Sequence, residues 1–182
     1  LDKKIIYIFT IDAETKLCFE CSGGNRDLHS YPTRRCSDLG LLKIVICELI
    51  DGFDHAVVLW SADVTDYREA MQRHSERWVL IPVSPSAEQF ARLLFRLVDT
   101  ALSLTDMANG EAGVQLNSII VHETDTGSAQ CFRDDAENHR MGRIDLDAIV
   151  FSPAITCQWC DPDLMGRLTR GDRRANSPPE LS

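Results

Sequence analysis

At 182 residues and 44% hydrophobic content, the chain is sized for one globular domain with an ordinary core. A formal net charge of −9 and a pI near 5.0 argue against a nucleic-acid or anionic-membrane partner, because both need clustered Lys and Arg. No apolar run approaches a membrane span of roughly 20 residues, and the opening LDKKIIYIFTID lacks the pattern of a signal peptide. A cytoplasmic protein acting on a small organic molecule is expected, with its seven Cys as reduced thiols.

KKIIYIFTID is β-branched and aromatic, which predicts a strand over Lys4 to Ile11. Leu42, Val45, Ile46, Leu49 and Ile50 recur at helical spacing and predict a helix from Ser37 to Asp51. HAVVLW and RWVLIPV read as extended runs on either side of a small polar helix, VTDYREAMQRHS. Phe90, Leu93, Leu94, Leu97, Val98, Ala101 and Leu102 then keep one apolar face for about four turns, with Ser84 as cap and Pro85 at the first helical position. VQLNSIIVHET and SAQCF read as two strands joined at Asp125, Thr126 and Gly127. Beyond Asp134 the tail is mixed, with a possible strand at AIVF and a disorder-prone end, RGDRRANSPPELS. This order predicts an α+β fold, with helices packed on one face of an antiparallel sheet.

Asp54 and His55 follow the first helix. A carboxylate beside an imidazole can orient the ring for proton transfer, although an adjacent pair is also what an exposed loop contains. Glu123 ends an apolar strand, either in water at the sheet edge or in a pocket where its two oxygens accept parallel N–H donors from a planar heterocycle. Ser86, Glu88 and Thr124 are polar neighbours of the same kind, Glu88 doubling as a first-turn acid that favours the helix dipole. Two CxxC pairs, Cys18 with Cys21 and Cys157 with Cys160, would make a four-thiolate zinc site if they met. Their separation in the chain favours buried, inert thiols instead.

Taken together, LLKIVICELIDGFDHAVVL, LIPVSPSAEQFARLLF and IIVHETDTGSAQCF resemble the 6-pyruvoyl-tetrahydropterin synthase and 6-carboxytetrahydropterin synthase family. The resemblance implies the tunnelling fold: a four-stranded antiparallel sheet with two helices on one face, assembling into homo-oligomers with active sites between subunits. It implies Asp54 and His55 as a proton-relay pair, Glu123 as the anchor of a pterin ring, and Ser86 and Thr124 as lining of the pterin pocket. The family's chemistry uses Zn2+ on three His and a cysteine base. Cys21 matches the base, and His29 matches one ligand, while Thr15 and Tyr31 stand where the other two His belong. The implied activity is a lyase of the 6-carboxy-5,6,7,8-tetrahydropterin synthase kind, acting on 7,8-dihydroneopterin triphosphate toward queuosine. The alternatives are a 6-pyruvoyl-tetrahydropterin synthase, a non-catalytic pterin-binding relative, or a structural zinc protein built on the CxxC pairs.

HSYPTRRCSDL, residues 29–39, takes the place of the long strand and hairpin partner with which the family continues after His29. It resembles the in-frame translation of a widely used sequencing adapter, HSFPTRRSSDL, with only Tyr31 and Cys36 different. The expectation is a non-native scar that replaces one strand of the sheet. The domain reading is a synthase-like unit over residues 1–133 and a C-terminal extension over 134–182.

Overall fold

The computed structural model describes residues 6–12, 19–21, 39–106, 115–123 and 127–175. Its first half runs through strands β1 (Ile6–Asp12) and β2 (Phe19–Cys21), helix α1 (Leu39–Asp51), strand β3 (Val57–Trp60), helix α2 (Thr65–His74), strand β4 (Trp78–Ile81) and helix α3 (Ala87–Ser103). Strands β5 (Thr105–Asp106), β6 (Gln115–His122) and β7 (Ser128–Phe132) follow, with helix α4 (Arg133–Ala136) directly after β7. The C-terminal segment holds strand β8 (Val150–Phe151), helices α5 (Pro153–Thr156) and α6 (Leu164–Arg170), and strand β9 (Arg174–Ala175). No helix among the described residues is long and apolar enough to cross a membrane.

The larger sheet has the order β2-β1-β6-β7 and is antiparallel throughout, with Ile8 opposite Ile120 and Ile119 opposite Cys131. Leu116, Ile119 and Val121 of β6 and Ala129 and Cys131 of β7 are buried, which gives this sheet one face in the core. The expected scar and loss of a strand concern residues 29–39, which lie outside the described ones except for Leu39, the first residue of α1.

A smaller sheet, β3-β4-β8, was not expected. β3 and β4 pair in parallel, Leu59 opposite Leu80, and β8 joins β4 antiparallel. Parallel neighbours need a crossover rather than a tight hairpin, and α2 provides it while burying no residue of its own. The two apolar runs flanking α2 therefore pair with each other and not with the antiparallel sheet.

Helix α3 occupies the middle of the molecule. All seven residues of its expected stripe are buried, and so are Ala91, Arg92 and Phe95. The second buried face exists because the C-terminal segment covers it: Ala136, Ile144, Ile149, Phe151, Ile155, Trp159, Leu164 and Leu168 share one core with α1 and α3. Two expectations for this part of the chain are corrected. The cap of α3 is Ser86, not Ser84, because the Ser86 side chain accepts the Gln89 N–H at 3.4 Å, while the Ser86 N–H turns back onto the Ser84 carbonyl at 2.8 Å. Pro85 therefore precedes the cap.

The second correction concerns the start of the expected disordered end. Gly171 closes α6 in the left-handed region (φ +74°), and β9 then pairs in parallel with β5, Thr105 opposite Arg174. Residues 176–182 lie outside the described ones.

Candidate functional site

The turn after α1 forms because two of its residues have to be inside. Gly52 is buried so close to Phe151 that an added Cβ would lie 2.7 Å from the ring. Phe53 packs edge-on against Phe90 (5.0 Å between centroids) and Phe151 (5.2 Å), and Phe151 meets Trp159 at 5.0 Å. Drawing Gly52 and Phe53 into this aromatic cluster leaves Asp54 and His55 on the outside, with side-chain exposures of 46% and 73%. His55 takes a positive φ of 51°, a conformation uncommon for a side chain of its size. Its Nε2 lies 3.9 Å from Asp54 Oδ1, within ion-pair reach but longer than a hydrogen bond.

Arg77 clamps this turn. Its Nε donates to the Asp54 carbonyl (3.1 Å), Nη2 to the Asp51 carbonyl (2.9 Å) and Nη1 to Gln158 Oε1 (2.8 Å). The guanidinium thus ends α1, where carbonyls lack helical partners, and ties it to the C-terminal segment. The Asp51 carboxyl is raised from its ordinary value by desolvation first and by the Asp54 carboxylate second, with Arg77 opposing.

Ser86 lies one turn before Phe90, so the Phe53–Phe90 contact brings the Asp54–His55 turn to the N-terminal end of α3. Its Oγ is already an acceptor for Gln89. Glu88 beside it is held below the usual carboxylate range by its own backbone N–H and then by Ser86.

Glu123 follows β6 and is exposed. Its N–H donates to the Gly127 carbonyl at 2.9 Å, closing the β6–β7 connection. Among the described residues no hydrogen bond or ion pair joins Glu123 to Asp54, His55 or Ser86. Cys21 ends β2 opposite Tyr7. Its side chain, His29 and Thr124 lie outside what is described.

The cysteines depart from expectation. Cys157 and Cys160 are exposed, not buried, because the chain after α5 runs over the surface of α1. There the Cys160 N–H donates to Glu48 Oε1 at 2.6 Å, and the Glu48 carboxylate raises the Cys160 thiol. The buried thiol is Cys131, pushed up to about 12 by burial and then by Asp135, with Arg92 opposing. No group of three or more metal-capable side chains forms among the described residues.

Two residues that organise this region escaped the sequence reading. Arg77 carries no motif. Arg92 did leave a signal, a charged residue inside the apolar run QFARLLFRLV.

The family model for 6-pyruvoyl tetrahydropterin synthase matches residues 20–134, more than half of the chain. Two curated relatives are each named 6-carboxy-5,6,7,8-tetrahydropterin synthase, from Helicobacter pylori strains J99 and 26695. The chain is 28% and 27% identical to them over 138 residues, which span 75% of this chain and 69% of each relative.

Proposed function

This chain belongs to the 6-pyruvoyl tetrahydropterin synthase family, and we propose that it is a lyase of the 6-carboxy-5,6,7,8-tetrahydropterin synthase kind. Its substrate is 7,8-dihydroneopterin triphosphate, and its product lies on the route to queuosine. The observation that carries this reading is the span of the match, residues 20–134, which contains the Asp54–His55 turn, Ser86 and Glu123. The relatives' names favour the carboxy product over the pyruvoyl one.

The chemistry follows from each group. A pterin presents a ring N–H and an exocyclic amine side by side, and the two oxygens of Glu123 accept both. His55 exchanges the proton, and Asp54, at 3.9 Å, holds the imidazole tautomer when the ring turns toward it. Arg77 fixes the backbone of that pair. Cys21 removes the side-chain proton as a thiolate. Ser86 and Thr124 line the pocket. In a single chain Asp54, His55, Ser86 and Glu123 all face solvent, which suits a homo-oligomer with sites between subunits.

Zinc is the cofactor that the family's chemistry implies, and the donor set of this chain does not fit it. Two of the three ligand positions carry Thr15 and Tyr31, a hydroxyl and a phenol in place of imidazoles, and only His29 remains. No step above therefore passes through the metal. Thr15, which lies outside the scar at residues 29–39, favours a second reading, a non-catalytic pterin-binding relative.

Incubation with zinc and the triphosphate, with the pterin product identified by mass, separates these readings. Carboxytetrahydropterin supports the first, and a pyruvoyl product redirects it to the sister activity. Pterin binding without turnover supports the second reading. Neither binding nor turnover overturns both. Metal analysis adds a further test: about one zinc per chain that survives Cys157→Ser argues against the binding relative, and zinc lost on that change identifies a structural site on the CxxC pairs.

A further inference from the structure

A cleft of about 470 Å³ opens between α3 and the C-terminal segment, and none of Asp54, His55, Ser86 or Glu123 lines it. One wall is a single face of α3, on which Arg92, Arg96 and Thr100 follow at intervals of four residues, about 6 Å of rise each. The facing wall comes from residues 136–147 and 168–169. The volume is that of a small-molecule site.

The charge in this cleft is arranged unequally. Arg92 is 2% exposed, and all five of its N–H donors are used: by Gln89 Oε1 and by the carbonyls of Asp135, Asn138, Met141 and Gly142. Every one of these acceptors is neutral. A full positive charge is therefore buried in the wall without a directly bonded carboxylate, and Asp135 offsets it only at a distance.

Arg96 is half-buried and Arg143 exposed, on opposite walls. Among the described residues neither side chain makes a hydrogen bond or ion pair. The acids of the lining are engaged elsewhere or turned to water: Glu137 meets Arg133 at 3.8 Å, an Asp145 oxygen accepts the Asp147 N–H at 3.2 Å, and Asp147 is exposed. Two guanidiniums with no partner among the described residues line the same cleft as the buried third.

We propose that this cleft binds a small phosphoryl-bearing molecule, its oxyanion held between Arg96 and Arg143 beside the buried charge of Arg92. Donors on opposite walls of one cleft suit a tetrahedral oxyanion better than a planar carboxylate, which one guanidinium satisfies in its own plane. The Thr100 hydroxyl adds a neutral donor on the same face as Arg96. Ile144, Leu146 and Leu168 give the cleft an apolar side that fits an organic body attached to the phosphoryl group. The site stands apart from the pterin reading and does not depend on it.

Calorimetric titration of the full chain with inorganic phosphate, pyrophosphate and phenyl phosphate tests the proposal. One saturable site per chain is expected. Arg96→Gln and Arg143→Gln should each weaken binding about tenfold or more, because each removes a charge-assisted contact. Both side chains lack partners among the described residues, so the variants should melt like the parent. Arg73→Gln on α2 should leave the affinity unchanged.

Tighter binding of phenyl phosphate than of phosphate identifies an organic phosphate as the occupant. Equal binding identifies the free ion. No saturable binding, binding untouched by Arg96→Gln and Arg143→Gln, or equal loss in Arg73→Gln would overturn the proposal.

Discussion

Arg92→Met keeps much of the side chain's apolar stem and deletes five donors. Four backbone carbonyls, of Asp135, Asn138, Met141 and Gly142, lose charge-assisted bonds of 2.8 to 3.0 Å. At about 1–3 kcal/mol for each buried acceptor left unsatisfied, the sum approaches the whole stability of a domain, roughly 5–15 kcal/mol. The full sum is not expected, because Asp135, His139, Arg140, Met141 and Gly142 lie at the surface and their segment can turn its carbonyls to water. A loss of about 3–5 kcal/mol remains, the lower part of that sum, because the variant also removes the cost of burying the charge. Urea unfolding followed by tryptophan fluorescence reads it, since Trp159 packs against Phe151 in the same core. Arg92→Lys, with three donors and no planar fork, should recover less than half of the loss. A stability for Arg92→Met within about 1 kcal/mol of the parent would refute the claim that this guanidinium pins the C-terminal segment to α3.

Three further outcomes follow from the same geometry. Gly52→Ala should cost about 1–3 kcal/mol, because the new Cβ meets a Phe151 ring already flanked by Phe53 and Trp159; an unchanged urea midpoint would contradict this. In iodoacetamide labelling at about pH 8 followed peptide by peptide, Cys157 should react faster than Cys160, which Glu48 slows, and Cys131 should not react at all. Labelling of Cys131 as fast as Cys157 would count against its burial.

The third concerns acid. Arg173 holds the Asp106 carboxyl below its ordinary value of 3.8, so the pair supports β9 fully above that pH and progressively less as pH falls through the lowered value. The protection factor of the Arg174 amide, bonded to the Leu104 carbonyl at 2.8 Å, should therefore drop in acid, and Asp106→Asn should remove that dependence. A drop that persists in Asp106→Asn would assign it to another group.

Periodic features were the legible ones. The apolar stripe of α3 identifies the central helix, and its seven residues are all buried. What the stripe does not contain is a second partner, so the burial of Ala91, Arg92 and Phe95 became visible only with the C-terminal segment in place. Ser84, Pro85 and Ser86 offer two caps, and proline suits the first helical position after Ser84; the hydrogen bond to Gln89 decides for Ser86. VVLW and WVLI are too short to reveal their partners or direction, and the crossover by α2 settles both. Asp54 and His55 stand out as a pair in the sequence. That Phe53 turns inward, and so puts them outward, depends on Phe90 and Phe151, far along the chain.

The central claim is that this chain holds a pterin through Glu123, and equilibrium titration with neopterin, followed by the pterin's own fluorescence, tests it most directly. Saturable binding to the parent is predicted, weakened about 10- to 100-fold in Glu123→Gln, since the amide replaces one of two charged acceptors with a donor. Equal affinity of the parent and Glu123→Gln for neopterin would contradict the account.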